Sequence, residues 1–111
     1  MKIGVLGGSF DPIHNGHIRM AALAKYKYNL QKILIVPLNQ PWLKKVKTHA
    51  SPSQRIEMCE IAIKKYKSFE VSDVDIVRGG ISYMIDTIND LKNKADKQDK
   101  FFAIIGDDNI G

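Results

Sequence analysis

The chain has 111 residues, a formal net charge of +5 and 44% hydrophobic residues. This length allows at most one domain, and this composition allows a packed core and excludes a disordered chain. The single cysteine, Cys59, excludes a disulfide framework. No apolar run is long enough for a signal sequence or a membrane span, so we expect a cytoplasmic protein without a membrane partner.

The positive charge favours anionic partners, which include nucleotides, nucleic acid and membrane surfaces. The lysines cluster in residues 44–47, 64–67 and 92–100. The second and third clusters fall where helices are expected to end, and no aromatic residues alternate with the lysines as they do on surfaces that bind nucleic-acid strands. We therefore expect solvated lysines and no nucleic-acid partner.

The first half of the chain predicts a strand, a helix, a second strand and a loop, in that order. Residues 2–6 form a short apolar run that ends at two glycines, and a helix is expected over residues 17–28. The β-branched run over residues 33–37 predicts the second strand. Two prolines flank the beginning of residues 39–50, and no period is sustained there, so we expect a loop.

The second half opens with a helix start. Ser51 can cap the helix, Pro52 suits its first position, and Gln54 completes a capping box. An apolar face follows at spacings of three and four. Its members are Ile56, Cys59, Ile63 and Tyr66. We expect Cys59 to be a small core thiol.

Three further elements complete the pattern. Residues 69–77 alternate loosely and predict a third strand, which Gly79 and Gly80 end. A helix is expected over residues 82–94, with Met84, Ile88 and Leu91 on one stripe. Residues 101–105 are apolar throughout and predict a fourth strand that is covered on both faces.

Strands that alternate with helices of this length predict an α/β fold, a Rossmann-like parallel sheet sandwiched by helices. The sequence stops soon after an apolar strand, and such a strand usually needs a following helix. We therefore expect residues 1–111 to be the amino-terminal part of a single domain that is incomplete at its carboxyl end. Alone, this piece should expose apolar surface and a sheet edge.

The segment after the first strand combines several groups that bind anions. Gly7 and Gly8 expose main-chain amides, Ser9 adds a hydroxyl, and the predicted helix points its positive end at the same space. His14 and His17 are three residues apart, so a helical turn places both imidazoles on one side. Donors of this kind stabilise the charge that develops on phosphate oxygens during nucleotidyl transfer.

Features of this segment also occur for other reasons. Glycine turns after a first strand are common, and a lone histidine is usually structural. The P-loop pattern is absent because no Gly-Lys-Ser/Thr ends the turn, and the dinucleotide pattern Gly-x-Gly-x-x-Gly is also absent. The joint pattern of glycines, hydroxyl and paired histidines favours phosphate binding.

The segment Gly8-Ser9-Phe10-Asp11-Pro12-x-His14-x-Gly16-His17 resembles the signature of the HxGH nucleotidyltransferase superfamily. Later segments are similar, in order and spacing, to bacterial nicotinate-nucleotide adenylyltransferases. These are Gln40-Pro41-Trp42-x-Lys44, Gln54-Arg55, Arg78-Gly79-Gly80, Ser82-Tyr83, Asp86-Thr87 and Ile104-Ile105-Gly106-x-Asp108.

The resemblance implies roles for residues at matching positions. The ATP-binding residues would be Gly8, Ser9, Phe10, His14, His17, Gly106 and Asp108. The catalytic residues would be His14, His17 and Lys44, and the substrate-binding residues Trp42, Tyr83, Met84 and Thr87. Other roles stay open for some of these: Lys44 as a solvated lysine, Trp42 as a loop anchor, and Tyr83 and Thr87 in packing or capping.

The activity that the resemblance implies is transfer of the adenylyl group of ATP to nicotinate mononucleotide, which gives deamido-NAD and pyrophosphate. Mg²⁺ would be held by ATP and water, with no metal site formed by the protein. Other acceptors stay open, namely nicotinamide mononucleotide and pantetheine phosphate, as does a truncated nucleotide-binding module without catalysis. The sequence predicts no oligomeric state.

Two features depart from the family pattern. Many members have threonine where this chain has Met84, and that hydroxyl helps to hold the pyridine carboxylate. Methionine cannot donate that hydrogen bond, so the choice between nicotinate and nicotinamide stays open. The family's late Ser-Ser/Thr-x-x-Arg motif is not among these 111 residues, so we expect this piece to be inactive or weakly active by itself.

Overall fold

The computed structural model describes residues 1–40 and 50–105. Four strands form one sheet in the order β3-β2-β1-β4, and every neighbouring pair is parallel. The strands are β1 (Lys2–Gly8), β2 (Lys32–Pro37), β3 (Phe69–Val71) and β4 (Lys100–Ala103). The chain runs outward from β1 to β3 and then crosses to β4, which places the switch in strand order between β1 and β4.

Helices cover both faces of the sheet. They are α1 (Asn15–Lys27), α2 (Pro52–Ile63), α3 (Val74–Arg78) and α4 (Met84–Lys94). On one face α1 and α2 pack against β1 and β2 through residues such as Leu6, Ile18 and Cys59. On the other face Val74 and Leu91 pack against Val5. The predicted Rossmann-like fold is therefore confirmed.

The start of α2 follows the predicted capping box. The Gln54 amide donates to the Ser51 hydroxyl at 3.2 Å, and the Ser51 amide donates to Gln54 Oε1 at 2.9 Å. Cys59 and Ile63 are buried, as the apolar stripe predicts. Burial raises the pKa of the Cys59 thiol to about 12, so the thiol stays protonated and acts as a core residue.

The predicted third strand is wrong over most of its length. β3 ends at Val71, and α3 begins at Val74. The alternation suggested a strand to residue 77, yet Asp75 is fully buried while Val77 is 70% exposed. A buried carboxylate needs hydrogen-bond donors, and those around Asp75 come from side chains and a loop amide. These contacts override the strand pattern.

The exposed sheet edge expected for this piece alone is present in the part of the chain that the structure describes. β4 is an edge strand, paired only with β1 in this sheet, and Phe102 is 42% exposed. Within residues 1–40 and 50–105, no helix is sufficiently long and apolar to span a membrane.

The Ser51 cap yields a stability prediction. Ser51→Ala removes the acceptor for the Gln54 amide and should lower the free energy of unfolding by about 1 kcal/mol. Ser51→Asp restores an acceptor and should recover most of that loss. Urea unfolding of both variants in the full-length protein is the measurement, and equal stabilities for Ser51→Ala and the parent would contradict the cap.

Candidate phosphate site

The candidate site lies where β1 ends, beside the switch in strand order. Gly8 closes β1, and its carbonyl accepts a hydrogen bond at 2.9 Å from the Leu38 amide that follows β2. A trans peptide directs its C=O and N–H to opposite sides, so the Ser9 amide points away from β2, toward the side of β1 where β4 lies. One main-chain donor thus faces the crevice that usually holds ligands in such sheets.

Phe10 anchors the loop from inside. Its backbone is left-handed, with φ 49°, and its side chain is 2% exposed within the core. A Cβ at Gly8 would stand 2.8 Å from the Phe10 ring, so the ring occupies space that only glycine leaves open. Phe10 can therefore meet a nucleotide only through its main chain.

His14 and His17 together close the start of α1. The Gly16 amide donates to His14 Nδ1 at 3.1 Å, and the His14 amide donates to His17 Nδ1 at 3.0 Å. The two rings lie with centroids 3.7 Å apart, and the edge of Phe10 packs against His17. The structure therefore brings the two predicted histidines together as a reciprocal cap.

This cap fixes the imidazole tautomers. A neutral imidazole has one donor and one acceptor nitrogen, and Nδ1 is the acceptor in both rings. The hydrogen is therefore on Nε2 of each ring, which makes both Nε2–H groups donors. No acidic residue lies in the first turn of α1, whose residues are all described, so the positive end of this helix adds to the same donor set.

Gly16 leaves room for the His14 ring to fold back over the helix start. A Cβ at this position would lie 2.9 Å from His14 Cε1 and 3.0 Å from Nδ1. Gly16 therefore matters for the position of the imidazole as well as for the backbone.

Arg55 lies beneath the loop, and it is not among the site residues predicted from the sequence. It is 1% exposed, and its Nη1 donates to the Ser9 carbonyl at 2.9 Å and to the Leu38 carbonyl at 2.7 Å. Burial lowers the pKa of Arg55, although the negative charge of Asp11 opposes this shift. A signal was present, because Arg55 falls four residues before Cys59 on the buried side of α2.

Asp75 organises the neighbouring part of the site and was also missed. Its carboxylate accepts hydrogen bonds from the Asn39 amide at 2.7 Å, from Thr87 Oγ1 at 2.8 Å, and from the side chains of Ser82 and Arg78. Burial favours a higher pKa for Asp75, but these donors and the Arg78 charge outweigh it, so its pKa lies below the ordinary value. The network joins the end of β2 to the start of α4.

The start of α4 carries three of the predicted substrate-binding residues. Met84 approaches the loop, since its Cε would be 3.1 Å from a Cβ at Gly7. Tyr83 precedes the first turn of α4 and is 47% exposed. Thr87 is fully buried with its hydroxyl on Asp75, which places it beneath the surface. Trp42, Lys44, Gly106 and Asp108 lie outside the described residues.

The model of one protein family, described as cytidylyltransferase-like, matches residues 5–110. This chain belongs to the cytidylyltransferase-like family. The match includes the loop after β1 with its paired histidines. It confirms the resemblance to nucleotidyltransferases that the signature predicted.

Curated relatives of this cytidylyltransferase-like chain share one name. A protein of Borreliella afzelii (strain PKo) named "Probable nicotinate-nucleotide adenylyltransferase" is 42% identical over 108 residues, which cover 97% of this chain and 55% of the relative. A relative of the same name from Dehalococcoides mccartyi (strain ATCC BAA-2266 / KCTC 15142 / 195) is 39% identical over 110 residues, covering 99% of this chain and 54% of its own. The chain spans about half the length of these curated relatives.

A solved structure supports the fold of the family. The nicotinic acid mononucleotide adenylyltransferase of Plasmodium falciparum, complexed with NaAD, superposes with a TM-score of 0.68 at 18% identity. The superposition covers 92% of this chain and 50% of that one. At this identity the likeness concerns the fold alone.

Gly16 gives a prediction that separates stability from function. Gly16→Ala should change the free energy of unfolding little, because the higher helix propensity of alanine, about 0.5–1 kcal/mol over glycine, offsets the roughly 1 kcal/mol lost when the His14 cap is disturbed. The new Cβ would displace the His14 ring, and misplacement by about 1 Å can lower an enzymatic rate roughly a hundredfold. Thermal unfolding and turnover of the full-length variant are the two measurements, and an unchanged rate would contradict the role of ring position.

Asp75 gives a pH prediction whose sign follows from its lowered pKa. A carboxylate with a lowered folded pKa contributes stability that is complete above its unfolded pKa of about 3.9 and is lost as the pH falls through the folded value. Asp75→Asn should therefore be less stable than the parent at pH 7, and the gap should narrow in acid. Urea unfolding at pH 7 and at acid pH tests this, and a constant gap would contradict it.

Proposed function

We propose that the full-length protein that contains this chain transfers the adenylyl group of ATP to nicotinate mononucleotide in the cytoplasm, forming deamido-NAD and pyrophosphate. The observation that carries the proposal is the pair of imidazoles closed over the start of α1. The names of the curated relatives and the NaAD bound to the Plasmodium protein support this choice of substrate.

The reaction would form one bond and break one at the α-phosphorus. A phosphate oxygen of the mononucleotide attacks in line, and the bond from the α-phosphorus to the bridging oxygen breaks as pyrophosphate leaves. The attacking phosphate is already ionised, so no general base is required. Catalysis would therefore rest on positioning and on stabilisation of the negative charge that moves to the phosphate oxygens.

The described donors suit that charge. Nε2–H of His14 and of His17, the Ser9 amide and the positive end of α1 all belong to one short segment at the end of β1. They are held before the substrate arrives, by the cap and by the packing of Phe10. Preorganised donors stabilise a transition state better than water, which must reorient.

The metal would come with the substrate. Among the side chains of residues 1–40 and 50–105, no group of three or more His, Cys, Asp and Glu is placed to hold an ion. We therefore assign Mg²⁺ to the ATP phosphates and water, where it would neutralise phosphate charge. The part assigned to the protein is to hold the phosphates of that complex through imidazole and amide donors.

Met84 is relevant to which mononucleotide is the acceptor. Its side chain approaches Gly7 at the edge of the phosphate loop, and it offers no hydroxyl to a pyridine carboxylate. We therefore assign recognition of the nicotinate carboxylate to other groups of the full-length protein, with Met84 supplying apolar contact. Nicotinamide mononucleotide is the nearest alternative acceptor.

The substrate assignment is tested by pyrophosphate release from the full-length protein with each acceptor in turn. We expect nicotinate mononucleotide to have a higher kcat/KM than nicotinamide mononucleotide, and pantetheine phosphate to be inactive. A preference for pantetheine phosphate would contradict the proposal. Binding of ATP without pyrophosphate release from any acceptor would instead indicate a nucleotide-binding module.

His17 should be the most sensitive residue in this assay. His17→Ala in the full-length protein should lower kcat by about two to three orders of magnitude, the usual cost of removing one preorganised donor. His17→Asn is the matched variant, because its side-chain oxygen can still accept the His14 amide while the Nε2–H donor is gone. We expect His17→Asn to keep the parental stability and to lower kcat as much as His17→Ala does. An unchanged kcat would remove His17 from the mechanism.

A further inference from the structure

Arg55 carries an inference that rests on the proposed function and goes beyond it. The side chain is 1% exposed, and its hydrogen-bond partners at Nη1 are two main-chain carbonyls. Its Nε is buried without a hydrogen-bond partner among the described residues. A buried cation with an unsatisfied donor is costly, and an apolar side chain of similar volume often stabilises a protein as well or better. Stability alone is therefore a poor reason for an arginine at this position.

The two carbonyls belong to equivalent places in the sheet. Ser9 directly follows β1, and Leu38 directly follows β2. One amino group donates one hydrogen to each carbonyl, so Arg55 joins the carboxyl ends of both strands from the side on which α2 packs. Because both acceptors are main-chain carbonyls, Arg55 fixes the orientation of two peptide planes.

The Leu38–Asn39 peptide is held at both its carbonyl and its amide. Arg55 holds its carbonyl, and its amide, which belongs to Asn39, donates to Asp75 Oδ2 at 2.7 Å. The two charged residues thus hold opposite sides of a single peptide plane. This follows from the trans geometry, in which C=O and N–H point in opposite directions.

The same guanidinium also donates a hydrogen bond to the carbonyl of the Ser9–Phe10 peptide. Its carbonyl faces Arg55, and the bond is trans, since the cis bond in this loop is Asp11–Pro12. The Phe10 amide must therefore point away from α2. After Phe10, whose backbone is left-handed, the chain continues to His14, the cap of α1.

We propose that Arg55 is a positioning residue for ATP, which turns the Phe10 amide toward the phosphates by holding the Ser9 carbonyl. The cation also lies on the carbonyl side of this peptide, so its field adds to the positive potential at the amide end. Arg55 itself contacts no substrate in this arrangement. It acts through the loop.

The test compares ATP affinity in three forms of the full-length protein: the parent, Arg55→Lys and Ile63→Ala. Lysine keeps a charge but has no planar guanidinium with which to hold two carbonyls at fixed angles. Ile63 is buried at the opposite end of the same helix, belongs to the same core and has no side-chain polar group with which to hold a carbonyl. Titration calorimetry with Mg²⁺ and ATP gives the affinities, and thermal unfolding shows how much stability each variant loses.

We expect Arg55→Lys to weaken ATP binding by about tenfold, the equivalent of one well-placed hydrogen bond to a charged group. Ile63→Ala should lose stability and keep the parental ATP affinity. Equal effects of the two variants on affinity, or an unchanged affinity in Arg55→Lys, would overturn the positioning role. Parental ATP binding without turnover of nicotinate mononucleotide would overturn the proposed function and leave the Arg55 comparison valid.

A second measurement needs no variant. In ¹⁵N-labelled full-length protein, the Phe10 amide resonance should shift when Mg²⁺ and ATP are added, because this amide would donate to a phosphate. A Phe10 amide that does not respond while ATP binds would overturn the proposal, even if Arg55→Lys fails to fold.

Discussion

Two hydrogen bonds that use Nδ1 of His14 and His17 as acceptors determine how the candidate site is arranged. They close the first turn of α1, where main-chain amides have no partner within the helix. Because Nδ1 of each ring accepts a hydrogen bond in the cap, the hydrogen is carried by Nε2. The cap that starts the helix thus also sets the donors that a phosphate would meet. Gly16 and Phe10 serve the same arrangement, the first by leaving space for the His14 ring and the second by packing against His17.

Two buried charges hold the surroundings of this pair in place. Arg55 binds the carbonyl and Asp75 the amide of the peptide after Leu38, so that peptide is fixed from both faces of the sheet. Through Arg55 this plane is joined to the loop after β1, and through Asp75 it is joined to the start of α4, where Met84 lies. The loop after β1 and the start of α4 are therefore linked by one short chain of hydrogen bonds. A ligand that spans both would meet a single preorganised unit.

Much of the fold could be predicted because it depends on local signals. The capping box at Ser51, the apolar stripe of α2 and the run that forms β2 each lie within a few residues. The third strand could not be predicted, since Asp75 turns the chain into α3 through donors 36 residues before it and 7 and 12 residues after it. The paired histidines could be found from their spacing. Asp75 was missed because a buried carboxylate is recognised from its partners, which are distant in sequence. Arg55 shares the spacing of the apolar stripe of α2, but that spacing does not show which carbonyls the guanidinium binds.

Nitrogen NMR measures directly which nitrogen of the His14 and His17 rings carries the proton. In full-length protein with ¹⁵N-labelled histidine, we expect both rings to accept a hydrogen bond at Nδ1 and to carry hydrogen on Nε2. Their Nε2–H signals should shift when Mg²⁺ and ATP are added. Rings with hydrogen on Nδ1, or Nε2–H signals that stay unchanged at saturating ATP, would contradict the account.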